Sequence, residues 1–197
     1  YKLFKGNVLN EYNSITKNDG TPFKVFSPFW RHAEQIYLDK VPPKENKIKK
    51  LNKKLSIFNS KNKPKDLLPK YDWYKKFENY WNVSEKDSHN ELQDFLKERI
   101  LKYSNDRDFP SLNGSSKLSP YIRNGQLNVN KIWKSCSSIK NKNIGVRKYL
   151  NELGWREFSH SLINYFPEML KGNLRKEFDK FPWEKNNKFL NAWKKGM

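Results

Sequence analysis

Gly145-Val146-Arg147-Lys148-Tyr149-Leu150-Asn151-Glu152-Leu153-Gly154-Trp155-Arg156-Glu157-Phe158-Ser159-His160-Ser161-Leu162-Ile163-Asn164-Tyr165-Phe166 is the longest periodic stretch of the chain, and Pro167 bounds it. Leu150, Leu153, Phe158 and Leu162 fall on one apolar sector, which predicts a long helix packed inward along that side. Glu152, Trp155, Arg156 and Ser159 stand at i, i+3, i+4 and i+7 and share a different face. Two readings of that face stay open. It is either a solvated surface with Glu152–Arg156 as an i,i+4 pair, or a platform with an indole to stack on, a carboxylate to accept N–H groups and a guanidinium for phosphate.

Working outward, more helices follow. Ser84 and Asp87 form a capping-box pattern, and Leu92, Phe95, Leu96, Ile100 and Tyr103 make one apolar stripe, so a helix is predicted from Ser84 to about Tyr103. Arg107-Asp108-Phe109-Pro110 stops it. Ser119-Pro120 starts a short helix that Gly125 ends, and Asn128 caps another through Val129, Ile132 and Trp133. A last helix begins near Asn187 and is expected still to be in progress at Met197. Upstream, Ser27 as cap with Pro28 at the first helical position predicts a helix to about Leu38. Lys2 to Leu9 reads as a short strand without a partner nearby. Between them, Pro42-Pro43, Lys44 to Lys54 and Lys61-Asn62-Lys63-Pro64-Lys65 read as an extended, charged linker. The fold class is mainly α, and the chain is expected to be cut at both ends.

Charge points to a partner. Of 197 residues, 40 are Lys or Arg and 21 Asp or Glu, a formal net charge of +19 that favours a polyanion such as nucleic acid. Seven Trp, ten Tyr and thirteen Phe exclude a wholly disordered basic tail. The single cysteine, Cys136, excludes an intramolecular disulfide framework and a Cys-rich zinc site. His32, His89 and His160 are far apart and no HExxH occurs, so no metal is expected. No apolar run approaches the ~20 residues that span a bilayer and no signal-peptide pattern opens the chain, so a soluble intracellular protein is expected. Ser115-Ser116-Lys117-Leu118-Ser119, with Tyr103 and Arg107 close before it, is either a phosphate cradle at a helix start or an ordinary Ser-rich loop with Ser119 as cap.

Tyr103-Ser104-Asn105-Asp106-Arg107-Asp108-Phe109-Pro110, then Gly114-Ser115-Ser116-Lys117-Leu118-Ser119-Pro120-Tyr121-Ile122-Arg123-Asn124-Gly125, resembles the DNA photolyase/cryptochrome family, and within it the class I cyclobutane pyrimidine dimer photolyases. Asn151 to Phe158, Tyr165-Phe166-Pro167 and Phe181-Pro182-Trp183 continue the match in order, and Phe26-Ser27-Pro28-Phe29-Trp30 resembles the aromatic motif that closes the family's N-terminal domain. The resemblance implies three parts. Residues 1–38 would be the tail of an α/β, Rossmann-like antenna domain, 39–83 a basic interdomain linker, and 84–197 the first half of an all-helical domain that binds FAD and DNA. It also implies roles. Tyr103, Ser115, Ser116, Lys117, Leu118, Ser119 and Tyr149 would contact FAD. Glu152 and Trp155 would be catalytic, the first hydrogen-bonding the pyrimidine dimer and the second stacking on it. Arg107, Leu153, Arg156 and Ser159 would join them at the DNA, and Trp183 would be the outermost tryptophan of the chain that photoreduces the flavin. Tyr149 stands where many relatives carry Trp.

The implied activity is that of a deoxyribodipyrimidine photolyase, a carbon–carbon lyase that splits pyrimidine dimers in DNA with light and reduced FAD. An antenna pigment of the folate or deazaflavin type would sit in the N-terminal domain, and the complete protein would act as a monomer. A neutral Glu152 could donate a hydrogen bond to the dimer if burial raised its pKa. Two alternatives remain: a cryptochrome-type blue-light receptor, or a non-catalytic basic module that binds nucleic acid. Retention of Glu152 and Trp155 on one face favours repair.

Overall fold

α6 (Ile144–Tyr165) is the axis on which the rest assembles. The computed structural model describes residues 8–11, 13–38, 70–140 and 143–197. α1 (Phe26–Leu38), α3 (Tyr103–Asp106) and α5 (Val129–Ser137) pack on α6, α2 (Glu85–Asp94) and α4 (Ser119–Arg123) add Leu92, Tyr121 and Ile122 to the same core, and α7 (Asn187–Lys194) buries no residue. Short 3₁₀ turns cover Asp72–Asn79, Pro167–Leu170 and Lys176–Lys180. The fold is helical, and no strand occurs among the described residues.

α1 buries Phe29, Trp30, Ala33 and Tyr37, a helical stripe that faces α6. Gly154 lets α1 come close. A Cβ there would lie 2.5 Å from Trp30 Cε3, so the glycine is a notch for the indole. Trp30 Nε1 donates to Asn151 Oδ1 at 2.8 Å beside it, which fixes the rotation of α1 about its own axis. α5 adds Val129, Ile132, Trp133 and Cys136, and Trp133 meets Trp30 edge-on at 5.6 Å. Burying side chains of this size contributes about 2–3 kcal/mol each, so a handful of rings carries much of the stability.

Several expectations hold and several need correction. Ser84 and Asp87 form a full capping box, Asn128 caps α5 through Asn130 N, and Asn143 caps α6 through Val146 N. α6 begins one residue before the expected Gly145 and ends one residue before Phe166. α1 begins at Phe26, so Ser27 is a helical residue and not the cap. Pro28 still lies in the first turn, where a missing N–H costs nothing. The single helix expected over 84–103 is three pieces: α2, a π-helical turn at Phe95–Arg99, and α3 after a turn. In α geometry residues five apart stand about 140° apart around the axis. The bond from Ile100 N to Phe95 O closes that gap and lets both side chains point inward. α7 is not in progress at Met197; it ends at Lys194, with Gly196 in the left-handed region at φ 71°.

Of the strand expected over Lys2 to Leu9, residues 2–7 lie outside the described residues. Val8 and Leu9 are described and are not strand; they are buried, and Leu9 joins the same core as α1 and α6. The lysine-rich linker over 39–69 also lies outside the described residues.

Candidate functional site

The outward face of α6 and the segment from α3 to α4 hold the residues singled out above. Glu152 does not pair with Arg156. Its Oε1 accepts from Arg107 Nη1 at 2.6 Å, and the two side chains are about a quarter to a third exposed, at 26% and 31%. Arg107 follows the last residue of α3 and is not a lone surface cation. It also lies 3.4 Å from Asp108 Oδ1, donates to the Tyr103 hydroxyl at 3.3 Å, and covers the Tyr103 ring at 5.3 Å. Burial pushes the Tyr103 phenol up, with the Arg107 charge pulling the other way.

Arg156 turns instead to its neighbour, with Nη1 3.1 Å from Glu157 Oε1. Glu157 is the buried carboxylate of the helix, not Glu152. Its Oε2 accepts from Leu9 N at 2.8 Å and Asn10 N at 3.4 Å, tying the N-terminal segment to α6. Burial pushes Glu157 up to about 7, against those hydrogen bonds and the Arg156 charge.

Trp155 is 46% exposed, as a platform requires. Its ring stacks on Phe26 of α1 with centroids 3.7 Å apart and planes 10° from parallel. Ser159 lies exposed one turn further, its hydroxyl bonded to Trp155 O at 2.9 Å. Leu153, expected at the DNA, is buried in the core; it shares the inward side with Leu150, because a position next to Glu152 in sequence is about 100° away around the helix.

The Ser-rich segment divides in the same way. Ser115, Lys117 and Ser119 are exposed, and Lys117 adopts φ 54°, turning the chain sharply just before α4. Ser116 is half-buried; its Oγ accepts from Leu118 N at 3.4 Å and meets the Tyr149 hydroxyl. Leu118 points into the core at 1% exposure, so only its backbone is left for a ligand. Leu118, not Ser119, is the residue that precedes α4, and Ser119 is its first helical residue. Gly114 is pressed against the Asp106 backbone, where a Cβ would collide, which fixes this loop beside Arg107. Two exposed hydroxyls and an ammonium on a loop pinned in place fit the phosphates of a dinucleotide.

Tyr103 and Tyr149 are both buried and form a trio with Phe95, at centroid distances of 4.6–5.8 Å. Their rings belong to the core, and their hydroxyls meet protein partners, Arg107 for Tyr103 and Ser116 for Tyr149. Trp183 is 70% exposed and leans on Phe181 at 4.7 Å, apart from the core.

Sequence reasoning missed two residues, Phe26 as partner of Trp155 and Glu157 as a buried anchor. A signal existed for the second: Leu150, Leu153, Gly154, Glu157 and Ser161 share one helical stripe, so the carboxylate sits among inward positions.

The family described as the FAD binding domain of DNA photolyase matches residues 149–197. The deoxyribodipyrimidine photo-lyase of Agrobacterium fabrum is 30% identical over an alignment covering 100% of this chain and 41% of that protein. The chain is similar to members of the photolyase/cryptochrome family. A second member of the family, the deoxyribodipyrimidine photo-lyase of Alkalihalophilus pseudofirmus, is 27% identical, with 100% of this chain and 40% of that one covered. The crystal structure of a bacterial class III photolyase from Agrobacterium tumefaciens superposes with a TM-score of 0.77 at 28% identity, covering 98% of this chain and 41% of that one. The Synechocystis cryptochrome shares the fold, with a TM-score of 0.64 at 18% identity over 96% of this chain and 39% of that one. The chain thus spans about two fifths of the length of the photolyase/cryptochrome proteins it matches.

Proposed function

We propose that this chain is part of a deoxyribodipyrimidine photolyase, which binds pyrimidine dimers in DNA and splits them with light. The observation that carries this reading is the outward face of α6, where a half-exposed Trp155 stands one turn from a carboxylate held by Arg107. A duplex hides its bases, so a lesion must be flipped out to reach such a face, and a dimer that pairs and stacks poorly is the easiest base to flip. Trp155 offers its ring for stacking. Arg107 occupies Oε1 of Glu152, leaving Oε2 to accept an imide N–H of the flipped pyrimidine. Ser159 lies on the same face and would meet the flanking backbone, with Arg156, held by Glu157 and a quarter exposed, beside it.

In this reading Ser115, Lys117 and Ser119 hold the phosphates of FAD, and Ser116 is steadied by Tyr149. Reduced FAD, when bound, supplies one electron on illumination and takes it back, so breaking the two cyclobutane C–C bonds is redox-neutral. The chain's own residues bind, orient and exclude water. Trp183, exposed and away from the core, suits the outer end of an electron path to solvent. Residues 1–38 would be the tail of an α/β antenna domain, and the complete protein would work as a cytoplasmic monomer.

The test is repair itself. Protein carrying reduced FAD should restore absorbance at 260 nm to a thymine-dimer oligonucleotide under blue light and not in the dark, and Glu152→Ala should lower the yield while leaving flavin absorbance intact. A flavin-loaded protein that binds undamaged and damaged DNA alike and splits no dimer overturns the reading and favours the photoreceptor.

A further inference from the structure

Trp155 does not stand alone. Its ring is sandwiched on Phe26, which belongs to α1, 129 positions earlier in the chain. Isolated aromatic pairs prefer offset or edge-on arrangements with centroids about 4.5–7 Å apart. A near-parallel pair at 3.7 Å is therefore not what two free rings would choose; the packing of α1 on α6 imposes it. The keying is visible. Trp30 fills the Gly154 notch and is hydrogen-bonded to Asn151, and one turn earlier on α1 this places Phe26 beneath Trp155. Phe26 is further held by Trp30, nearly parallel at 6.3 Å, and by Phe158 edge-on at 6.0 Å. One face of the indole is closed and the other, with 46% of the residue exposed, is open.

We propose that Phe26 is a positioning residue for the lesion: it fixes the plane of Trp155 and leaves a single face on which a flipped pyrimidine stacks. The inference rests on the photolyase reading above. A ring that only filled a lesion pocket until DNA arrived would sit on a loop or a weakly held side chain. Phe26 is instead the first residue of a 13-residue helix and is packed against three other rings. The platform therefore spans two elements far apart in sequence, and its orientation is set before any ligand binds.

The experiment compares the unsubstituted protein, Phe26→Leu and Phe26→Tyr for binding to a duplex with one thymine dimer and to the same duplex undamaged. Leucine keeps the apolar bulk and loses the ring, whereas tyrosine keeps the ring. Phe26→Leu should weaken dimer binding by roughly two- to ten-fold and leave undamaged-duplex affinity unchanged, with Phe26→Tyr restoring the preference. With 5-fluorotryptophan incorporated, the Trp155 signal, assigned by its loss in Trp155→Phe, should shift in Phe26→Leu and return in Phe26→Tyr. A dimer preference that survives or grows in Phe26→Leu overturns this proposal alone, the second outcome making Phe26 a gate. Equal losses on both duplexes, or an unmoved Trp155 signal, also overturn it. An unsubstituted protein without any dimer preference overturns the photolyase reading, and this proposal with it.

Discussion

Two sides of α6 carry a glutamate each, five residues apart, and use it in opposite ways. Glu152 looks outward, a third exposed, and is held by Arg107 at the end of α3. Glu157 looks inward, 5% exposed, and holds the backbone of Leu9 and Asn10. Residues five apart stand about 140° apart on a helix, so one can face solvent while the other is enclosed. The outward carboxylate keeps a lone pair for a ligand, and the inward one is consumed by structure. Residue type alone does not separate a functional acid from an anchoring one; what faces it across the fold does.

The largest effect is expected on the inward side. Glu157 holds its proton to about pH 7 when folded, against an ordinary 4.5. The stability it confers is thus fully present below pH 4.5 and is lost as pH rises through 7, by about 3 kcal/mol in all. Urea titrations at pH 5 and pH 8 should show this loss, and Glu157→Gln, which cannot ionise, should flatten it. A pH dependence that Glu157→Gln leaves intact would place the titrating group elsewhere.

Next comes the keying of α1 on α6. Gly154→Ala drives a methyl to 2.5 Å from Trp30 Cε3 and should destabilise by about 1–3 kcal/mol in a denaturant titration. Because Trp30 would shift, the Phe26–Trp155 stack should open with it.

The smallest stability effect is expected on the outward side. Arg107→Ala removes a partly exposed ion pair and should cost under about 1 kcal/mol, read as a change in unfolding midpoint. A loss as large as that of Gly154→Ala would make the pair part of the scaffold and erase the contrast between the two sides.

Much of the scaffold was legible in sequence because its signals are local. Ser84 with Asp87 and Asn128 before its helix announce caps over two or three residues, and α6 differs from expectation by one residue at each end. The Glu-x-x-Trp spacing likewise put Glu152 and Trp155 on one face. What stayed hidden depends on contacts far apart in the chain. Arg107 reaches Glu152 from another helix, Phe26 reaches Trp155 across 129 positions, and Glu157 reaches Leu9 across 148. Periodicity carries no trace of such pairs. Leu118 and Leu153 mislead for the converse reason: they sit inside functional motifs while their side chains turn into the core. The π turn at Phe95–Arg99 was invisible as well: in plain α geometry Phe95 and Ile100 fall at opposite edges of a broad apolar sector centred on Leu92, Leu96 and Tyr103, and periodicity does not show that the helix closes that gap.

In the proposed photolyase, the outward face of α6 meets damaged DNA through Trp155. The most direct test is the affinity of the unsubstituted protein and of Trp155→Ala for one duplex with and without a single thymine dimer, at one salt concentration. The substitution should lower dimer affinity by roughly 1–3 kcal/mol and leave undamaged-duplex affinity unchanged. Equal affinity of the two proteins for the dimer duplex would contradict that contact.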